Sequence, residues 1–192
     1  MADSGIDLLV AQGSEAGGHT GRVGTMALVP GAIDAAYPVP VLAAGGIADG
    51  RGVAAALAMG CVGVWVGTRF LATNEGGAQE VIKQNIVKAT DEDTVISTMF
   101  TGKTLRALRS QFHQAWDESG LTALPFPLQI IVSSSLFGSF IEANAEDYIG
   151  GFAGQASVMI HEIKPAGEVL DDMVEQAADI LTKKLPESVT VE

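Results

Sequence analysis

The sequence predicts an α/β protein, because three near-continuous apolar segments alternate with short helical segments over residues 1–74. The apolar segments are predicted strands at residues 6–11, 38–43 and 62–66, and a glycine-containing loop follows each of them. Strands of this composition are typical of a parallel sheet that helices cover. Beyond residue 74 the pattern changes to amphipathic helices, so the predicted sheet belongs to the first part of the chain.

The two helices between these strands are predicted from helical spacing and from capping residues. The first spans residues 26–37 and has Pro30 near its first turn, where proline is best tolerated. The second spans residues 52–59, with Asp49 as its predicted N-cap and Gly60 as its C-terminal stop. Strands and helices therefore alternate in βαβ order.

The remainder of the chain is predicted to be mainly helical. The predicted elements are helical residues 76–89, a short extended segment within residues 92–100, and helices at residues 105–118, 129–144 and 167–184. Pro125 and Pro127 separate two of these helices, and Pro186 is predicted to end the last one. The core-facing positions predicted for the last helix are Val169, Leu170, Met173, Val174, Ala177 and Ile180.

Composition limits the partners and the compartment. The chain has 192 residues, of which 47% are hydrophobic, with a formal net charge of -12 and a pI of about 4.5, so nucleic acid and anionic membranes would repel it. Its single cysteine, Cys61, excludes an internal disulfide and suits a reducing compartment. The sequence contains neither an apolar stretch of membrane-spanning length nor a signal-peptide pattern, so we expect a cytoplasmic protein without nucleic acid or membrane partners.

The candidate site lies at the carboxyl ends of the three predicted strands. The first strand leads into a glycine-rich loop that contains His19, and histidine can exchange protons near neutral pH. The next two strands end at Gly45-Gly46 and at Gly67-Thr68. Ligands bind at this edge of parallel α/β sheets, so the two glycine loops could hold a phosphate monoester through backbone N–H groups. The alternative is that both glycine pairs are tight turns required by helix packing.

Several motifs follow one another along the chain in a characteristic order. They are Gln12-Gly13-x-Glu15-Ala16-Gly17-Gly18-His19-x-Gly21, Ala43-Ala44-Gly45-Gly46-Ile47-Ala48-Asp49-Gly50, Val66-Gly67-Thr68-Arg69-Phe70, Thr101-Gly102-Lys103, Leu105-Arg106, Pro127-Leu128-Gln129 and Phe152-Ala153-Gly154-Gln155. Their order and spacing resemble the C-terminal half of a nitronate monooxygenase, formerly called 2-nitropropane dioxygenase. The resemblance implies part of a TIM-type (β/α)8 barrel that binds FMN. Residues 1–74 would supply its last three βα units, residues 75–160 a mainly helical insertion domain, and residues 161–192 the C-terminal barrel helix and tail.

The resemblance also implies an activity and a set of site residues. The implied activity is the FMN-dependent oxidation of alkyl nitronates, or nitroalkanes, with molecular oxygen to carbonyl compounds and nitrite. His19 matches the family's catalytic histidine, a residue type suited to deprotonating a nitroalkane near neutral pH. The residues implied to contact FMN are Gln12, Gly17, Gly45, Gly46, Trp65, Val66, Gly67 and Thr68.

Two charged residues within these motifs have open interpretations. Glu15 could orient His19 or contact the substrate, or its carboxylate could simply be solvated. Arg69 could neutralise a phosphate, or it could pair with a carboxylate of the fold.

The remaining candidates are predicted to be structural. His113 and His161 are expected to be structural or surface residues, and no metal site is predicted because His161 lacks the second histidine of a zinc helix motif. Trp65 alternates with valines and is expected in the core rather than stacked on the flavin. Gln155 could approach the flavin from the insertion, although the sequence does not place it.

The chain is shorter than a complete barrel, which typically needs about 250 residues. Its three strand units match the sixth to the eighth, so we expect a piece of a longer enzyme or a barrel completed by another copy, and an inactive isolated chain otherwise. Two other functions stay open: a flavin-dependent enoyl-ACP reductase, which has a similar histidine loop, and a non-catalytic assembly module. The match that begins at Thr101 favours the monooxygenase.

Overall fold

A computed structural model describes residues 5–189, which form two three-stranded sheets and eight α-helices. The strands are β1 (Leu9–Gln12), β2 (Gly18–His19), β3 (Val41–Ala44), β4 (Gly63–Trp65), β5 (Thr94–Ser97) and β6 (Leu105–Leu108). The helices are α1 (Thr25–Ala36), α2 (Gly50–Ala58), α3 (Thr68–Leu71), α4 (Glu80–Lys88), α5 (Gln111–Ser119), α6 (Leu128–Glu142), α7 (Ala166–Asp179) and α8 (Leu185–Ser188). Short 3-10 segments lie at Glu146–Tyr148 and Gln155–Met159, and a π-helical segment at Ile180–Lys184 joins α7 to α8.

The first sheet is parallel, with the strand order β1-β3-β4, and it confirms the predicted α/β class. Its register places Gln12 opposite Ala44 and Ala44 opposite Trp65, so the carboxyl ends of the three strands meet in one row. One face packs against α1 and α2 in a core that includes Ala11. On the opposite face, Val10 and Trp65 are 38% and 61% exposed, so the described residues leave that face open.

α2 is fixed at its N-terminus by a cap and by close packing against α7. The Asp49 carboxylate accepts a hydrogen bond of 2.9 Å from the Arg51 N–H, which confirms the predicted cap, although the helix begins at Gly50. The Gly50 N–H donates to Oε1 of Gln176 at 2.7 Å. A Cβ atom at Gly50 would lie 2.5 Å from the Ala177 nitrogen, so glycine allows the two helices to approach this closely.

The second sheet, with the strand order β2-β6-β5, shows that the helix predicted at residues 105–118 is wrong in its first part. Leu105–Leu108 is instead β6, which is buried throughout and pairs antiparallel with both neighbouring strands. Helix forms only from Gln111, in α5. The sequence Leu-Arg-Ala-Leu has no β-branched residue and locally favours helix, so pairing with distant strands imposes the extended conformation.

Three details of the predicted helices are also corrected. Pro30 lies inside α1 rather than in its first turn. Pro186 does not end the last helix, because it lies in the first turn of α8, where the missing N–H costs little. Leu170 and Val174 are 54% and 57% exposed, since the apolar arc of α7 is wider than the face that α2 covers. The buried residues of α7 are Val169, Met173 and Ala177, as predicted.

α6 has an unusual distribution of polar and apolar side chains. Its buried Gln129 and Ser133 donate hydrogen bonds of 2.6 and 2.8 Å to main-chain carbonyls, whereas Ile131 and Val132 are 66% and 62% exposed. The polar groups of this helix therefore fasten it to the fold, and apolar groups remain on its outer side. None of the helices in residues 5–189 combines the length and the apolar composition needed to span a membrane.

His113 is buried beside an aromatic ring, which confirms that it is structural. Its ring meets Phe100 edge-on with 5.2 Å between centroids, and its Nδ1 accepts a hydrogen bond of 3.2 Å from the Ser110 N–H. Burial disfavours the charged ring and lowers the pKa of His113 to about 4, and the positive charge of Arg109 acts in the same direction.

We predict that His113 makes the free energy of unfolding depend on pH. The pKa of His113 is about 4 in the folded protein and about 6.5 in the unfolded chain, so unfolding takes up a proton between these values. The stabilisation is complete above about pH 6.5, and about 3 kcal/mol is lost as the pH falls towards 4. Urea unfolding of the wild type, His113→Asn and the exposed control His161→Asn measures this slope. Equal slopes in the wild type and His113→Asn would contradict the prediction.

Candidate functional site

A cavity of about 170 Å³ lies where the carboxyl ends of β1, β3 and β4 meet. All but one of the predicted cofactor contacts line it: Gln12, Gly17, Gly45, Gly46, Trp65, Gly67 and Thr68. Val66 is the exception, because its side chain packs into the core on the covered face of the sheet. Pockets for drug-sized ligands are typically about 300–1,000 Å³, so this cavity fits one end of such a ligand, for example its phosphate and the adjoining atoms.

The Gly45-Gly46 turn forms one wall of the cavity. Both glycines have left-handed backbone conformations, with φ of +94° and +74°. A Cβ atom at Gly45 would also lie 3.0 Å from the Gly13 carbonyl oxygen and 3.1 Å from the Ala16 nitrogen. The turn therefore requires glycine, and the resulting wall of bare backbone allows an anionic group to approach closely.

Thr68 supplies the opposite side of the cavity with a hydroxyl group. The residue is buried, and its Oγ1 accepts a hydrogen bond of 3.0 Å from the Gly154 N–H. A hydroxyl that accepts one hydrogen bond still has its own proton to donate. Thr68 can therefore donate to a ligand oxygen while it holds Gly154 in place.

Glu15 lines the cavity and stabilises the start of α1, a structural role that the sequence did not predict. Its carboxylate accepts hydrogen bonds of 2.9 and 3.0 Å from the Thr25 N–H and one of 2.9 Å from the Thr25 hydroxyl. α1 has no side-chain cap of its own at Gly24, so a carboxylate from the preceding loop satisfies the helix terminus. The Thr25 hydroxyl is also 2.9 Å from the Gly45 carbonyl, so the same cluster joins two of the strand-end loops.

His19 lies beside the cavity rather than in its wall. It belongs to β2, its ring is exposed, and its Nε2 is 2.8 Å from the Thr101 hydroxyl. Nε2 of Gln12, a cavity residue, donates to the His19 carbonyl at 2.7 Å. The cavity and the histidine are therefore connected through the side chain of Gln12 and through the backbone of β2.

Phe152, Gly154 and Ala156 line the cavity from the other half of the chain, where residues 153–155 contact the loop after β1. A Cβ atom at Gly17 would lie 2.6 Å from the Ala153 carbonyl carbon, and one at Gly154 would lie 2.5 Å from the Glu15 carbonyl oxygen. The Gln155 N–H donates to this same Glu15 oxygen at 2.9 Å. The Gln155 backbone thus holds the loop after β1 in place, while its side chain is exposed.

Arg69 does not line the cavity, so it serves the fold rather than a phosphate. Its Nη2 donates to the carbonyls of Ala72 and Glu162 at 2.7 and 2.9 Å, and its burial lowers the pKa of the guanidinium. Its partners are main-chain oxygens, not the carboxylate that the sequence offered as the alternative to a phosphate.

Trp65 is exposed and borders the cavity, so its predicted place in the core is wrong. The face of the sheet that carries it has no covering element among residues 5–189.

Three residues near His19 had no predicted role. Thr101 is its hydrogen-bond partner, and Phe126 meets its ring edge-on with 6.1 Å between centroids. The Lys103 ammonium lies 4.4 Å from the centre of the Phe126 ring. The Thr101-Gly102-Lys103 motif contributed to the family resemblance and is the sequence signal from which two of these roles could have been inferred.

The sequence was compared with known protein families and structures. The sequence matches the family model described as nitronate monooxygenase over residues 1–176. The chain belongs to the nitronate monooxygenase family. The resemblance predicted from the motifs is thus confirmed.

Individual relatives cover most of this chain. Over 188 residues it is 43% identical to a Mycobacterium tuberculosis protein provisionally named as a monooxygenase, covering 93% of this chain and 49% of the relative. Over 185 residues it is 36% identical to a Bacillus subtilis protein named as a probable nitronate monooxygenase, covering 92% and 53%. The chain spans about half the length of the curated relatives that it matches.

Solved structures share its fold. Nitroalkane oxidase from Streptomyces ansochromogenes superposes with a TM-score of 0.82 and 30% identity, covering 94% of this chain and 54% of that one. FabK from Thermotoga maritima superposes with a TM-score of 0.81 and 36% identity, covering 97% and 59%. The two likenesses are equally close, so likeness of fold does not by itself select the reaction.

We predict that Glu15→Ala lowers the free energy of unfolding by about 1–3 kcal/mol, because the N-terminus of α1 loses a charged acceptor. Urea unfolding at neutral pH measures the change. The matched control is Glu92→Ala, an exposed carboxylate for which we expect a change within about 0.5 kcal/mol. Equal stabilities of the two variants would show that the Glu15–Thr25 contact does not stabilise the loop.

Proposed function

We propose that this chain forms part of a nitronate monooxygenase that uses FMN to oxidise alkyl nitronates, or nitroalkanes, with molecular oxygen to carbonyl compounds and nitrite. The observation that carries the proposal is the cavity at which three consecutive strand ends meet beside the His19 strand. Membership of the nitronate monooxygenase family and the likeness to nitroalkane oxidase support it.

FMN fits this cavity through its phosphate end. The backbones of Gly45-Gly46 and Gly67-Thr68, with the Thr68 hydroxyl, would hold the phosphate and the ribityl chain. Trp65 would border that chain, and Gln12 and Gly17 would contact the flavin ring. The fit rests on bare glycine backbone and on a hydroxyl proton that remains free to donate. When bound, FMN supplies the electron acceptor for oxidation of the substrate.

His19 is the proposed base for neutral nitroalkanes. Its exposed ring is accessible to a small molecule, and the Thr101 hydroxyl beside Nε2 fixes its orientation. Because Nε2 is engaged by Thr101, Nδ1 would take the proton from the carbon that bears the nitro group, and the resulting negative charge would spread over the two nitro oxygens as the nitronate forms. A preformed nitronate needs no base, and His19 would then donate a hydrogen bond to one of its oxygens.

We further propose that residues 1–74 are the last three βα units of a TIM-type barrel, that residues 75–160 are an insertion, and that residues 161–192 return to the barrel. The parallel order β1-β3-β4, with α1 and α2 on one face and an open opposite face, supports this assignment. The strands that complete the barrel would come from the remainder of a longer protein or from another copy of the chain.

Two alternatives remain from the sequence. An enoyl-ACP reductase would use the same cavity for FMN but would accept hydride from a nicotinamide cofactor, so rapid anaerobic bleaching of bound FMN by NADH would favour it. A non-catalytic assembly module would bind no FMN. The bare glycine walls of the cavity favour a ligand-binding protein over such a module.

We predict that narrowing the cavity weakens FMN binding. Gly67→Val tests this, because a Cβ atom at this cavity residue meets no atom within 4 Å and the fold accommodates it. We expect the dissociation constant for FMN to rise roughly tenfold or more. Gly77→Val, at an equally open glycine outside the cavity, is the control and should leave it unchanged. Flavin absorption and fluorescence titrations of the 192-residue chain measure the constants, and equal constants in both variants would remove this loop from the site.

We predict that His19→Asn lowers kcat/KM for a neutral nitroalkane by about 100-fold, the lower range of general-base effects. Preformed nitronate should be affected far less, because its oxidation requires no proton removal. Nitrite formation by the FMN-loaded protein is measured with both substrates, and the exposed His161→Asn serves as the control. Equal losses on the two substrates would show that His19 binds or orients the substrate instead.

A further inference from the structure

A second, larger cavity of about 500 Å³ runs along α6. We refer to it as the aromatic groove and define it by Phe100, Phe137, Phe140, Tyr148 and Phe152. Its rings pack against one another: Phe100 stacks on Phe137 with 4.5 Å between centroids and meets Phe152 edge-on at 5.2 Å. These mutual contacts make the groove a preformed surface.

The aromatic groove adjoins the candidate site at two residues. Phe152 lines both the groove and the cavity at the strand ends. Thr101 also lines the groove, and its hydroxyl is the group 2.8 Å from Nε2 of His19. The groove therefore adjoins the strand-end cavity at the exposed Phe152, and a single buried side chain, Thr101, separates it from the His19 imidazole.

The lining of the groove suits hydrocarbon rather than a polar ligand. No charged side chain lines it in the described part of the chain. Four hydroxyl-bearing residues line it, Thr101, Ser133, Ser134 and Tyr148. The Ser133 hydroxyl donates to the Phe100 carbonyl at 2.8 Å, and the Ser134 hydroxyl donates to the Ile131 carbonyl at 3.1 Å, so the fold engages these two. Covering such a surface with hydrocarbon removes apolar area from water and leaves the Ser133 and Ser134 hydrogen bonds intact.

We propose that the aromatic groove binds the alkyl chain of the substrate. The preferred nitronate or nitroalkane then carries several methylene groups on the carbon that bears the nitrogen. The identity of the reacting head group rests on the proposed function. Binding of the alkyl chain depends only on the lining of the groove. A hydrocarbon tail is favoured over a second protein chain because the groove adjoins both the strand-end cavity, through Phe152, and His19, through Thr101. A surface that only bound a second chain would have no reason to lie at this position.

The first experiment uses unreactive probes with the wild-type chain. Propionate, hexanoate and octanoate share with nitronates a planar head in which two oxygens carry one negative charge. We expect their affinity, measured by isothermal titration calorimetry, to rise about fourfold with each added methylene. In the FMN-loaded protein, kcat/KM for nitrite formation should rise in the same way from nitroethane to 1-nitrooctane.

The second experiment fills the groove from within. Gly138 lines it, and a Cβ atom there meets no atom within 4 Å, so Gly138→Leu projects into open space and replaces glycine with a better helix former. We expect Gly138→Leu to abolish the gain in affinity with chain length and to leave propionate binding unchanged. Gly31→Leu, at an equally open helical glycine in α1, is the matched control and should retain the full gain.

The outcomes separate this inference from the proposed function. If nitrite forms but kcat/KM does not depend on the length of the alkyl chain, the proposed function stands and the inference about the groove is overturned. Carboxylate affinity could instead rise with chain length in the wild type but not in Gly138→Leu, while the protein forms no nitrite. That result would support binding of the chain in the groove and overturn the proposed nitronate oxidation. Chain-independent binding together with loss of a dimer in Gly138→Leu, seen by sedimentation, would overturn the inference and assign the groove to a second copy.

Discussion

The close approach of the loop after β1 to residues 153–155 is the contact on which the site depends. Gly17 and Gly154 lack Cβ atoms at the points where the two backbones meet, and the Gln155 N–H binds the Glu15 carbonyl. A side chain at either glycine would overlap backbone atoms, which cannot move aside as a flexible side chain can. One wall of the strand-end cavity is therefore supplied by a segment more than 100 residues away in sequence.

A buried arginine makes the same loop depend on the second sheet. Arg106 of β6 donates from Nε to the Ser14 carbonyl at 3.0 Å and from Nη1 to the Thr94 hydroxyl at 2.8 Å. Burial lowers its pKa, and the negative charge of Glu15 opposes that effect. The loop is therefore fixed by Glu15 on the α1 side and by Arg106 on the β6 side. Because β2 also pairs with β6, the position of His19 depends on residues outside the parallel sheet.

Local features explain which parts of the fold could be predicted. The apolar strands of the parallel sheet and the Asp49 cap are determined by neighbouring residues, and the sequence was sufficient for both. β6 was mistaken for helix because its conformation is set by strands that lie elsewhere in the sequence. No local pattern distinguishes a solvated Glu15 from one that binds a helix terminus ten residues later. Tertiary contacts decide such cases, so they require the structure.

The candidate site shows the same division. Its glycines were predicted because strand-end turns and the family motifs both mark them, and the cavity brings them together with Gln12. The exposure of Trp65 was not predicted. Its alternation with valine indicates that it lies in a strand, but the pattern does not show whether both faces of the sheet are covered.

His19 lies between two environments of opposite character, and this position explains the arrangement of the site. Through Gln12 it is connected to a cavity bounded by polar backbone, and through Thr101 it is connected to an aromatic surface. In the proposed function FMN occupies the first environment; in the second, an anionic head group would lose its hydration without compensation, whereas hydrocarbon would gain from leaving water. In the proposed function, a molecule with both parts would have one favoured orientation, with its polar carbon next to the imidazole and its hydrocarbon in the aromatic groove. The groove would thus orient the substrate before the proposed proton transfer.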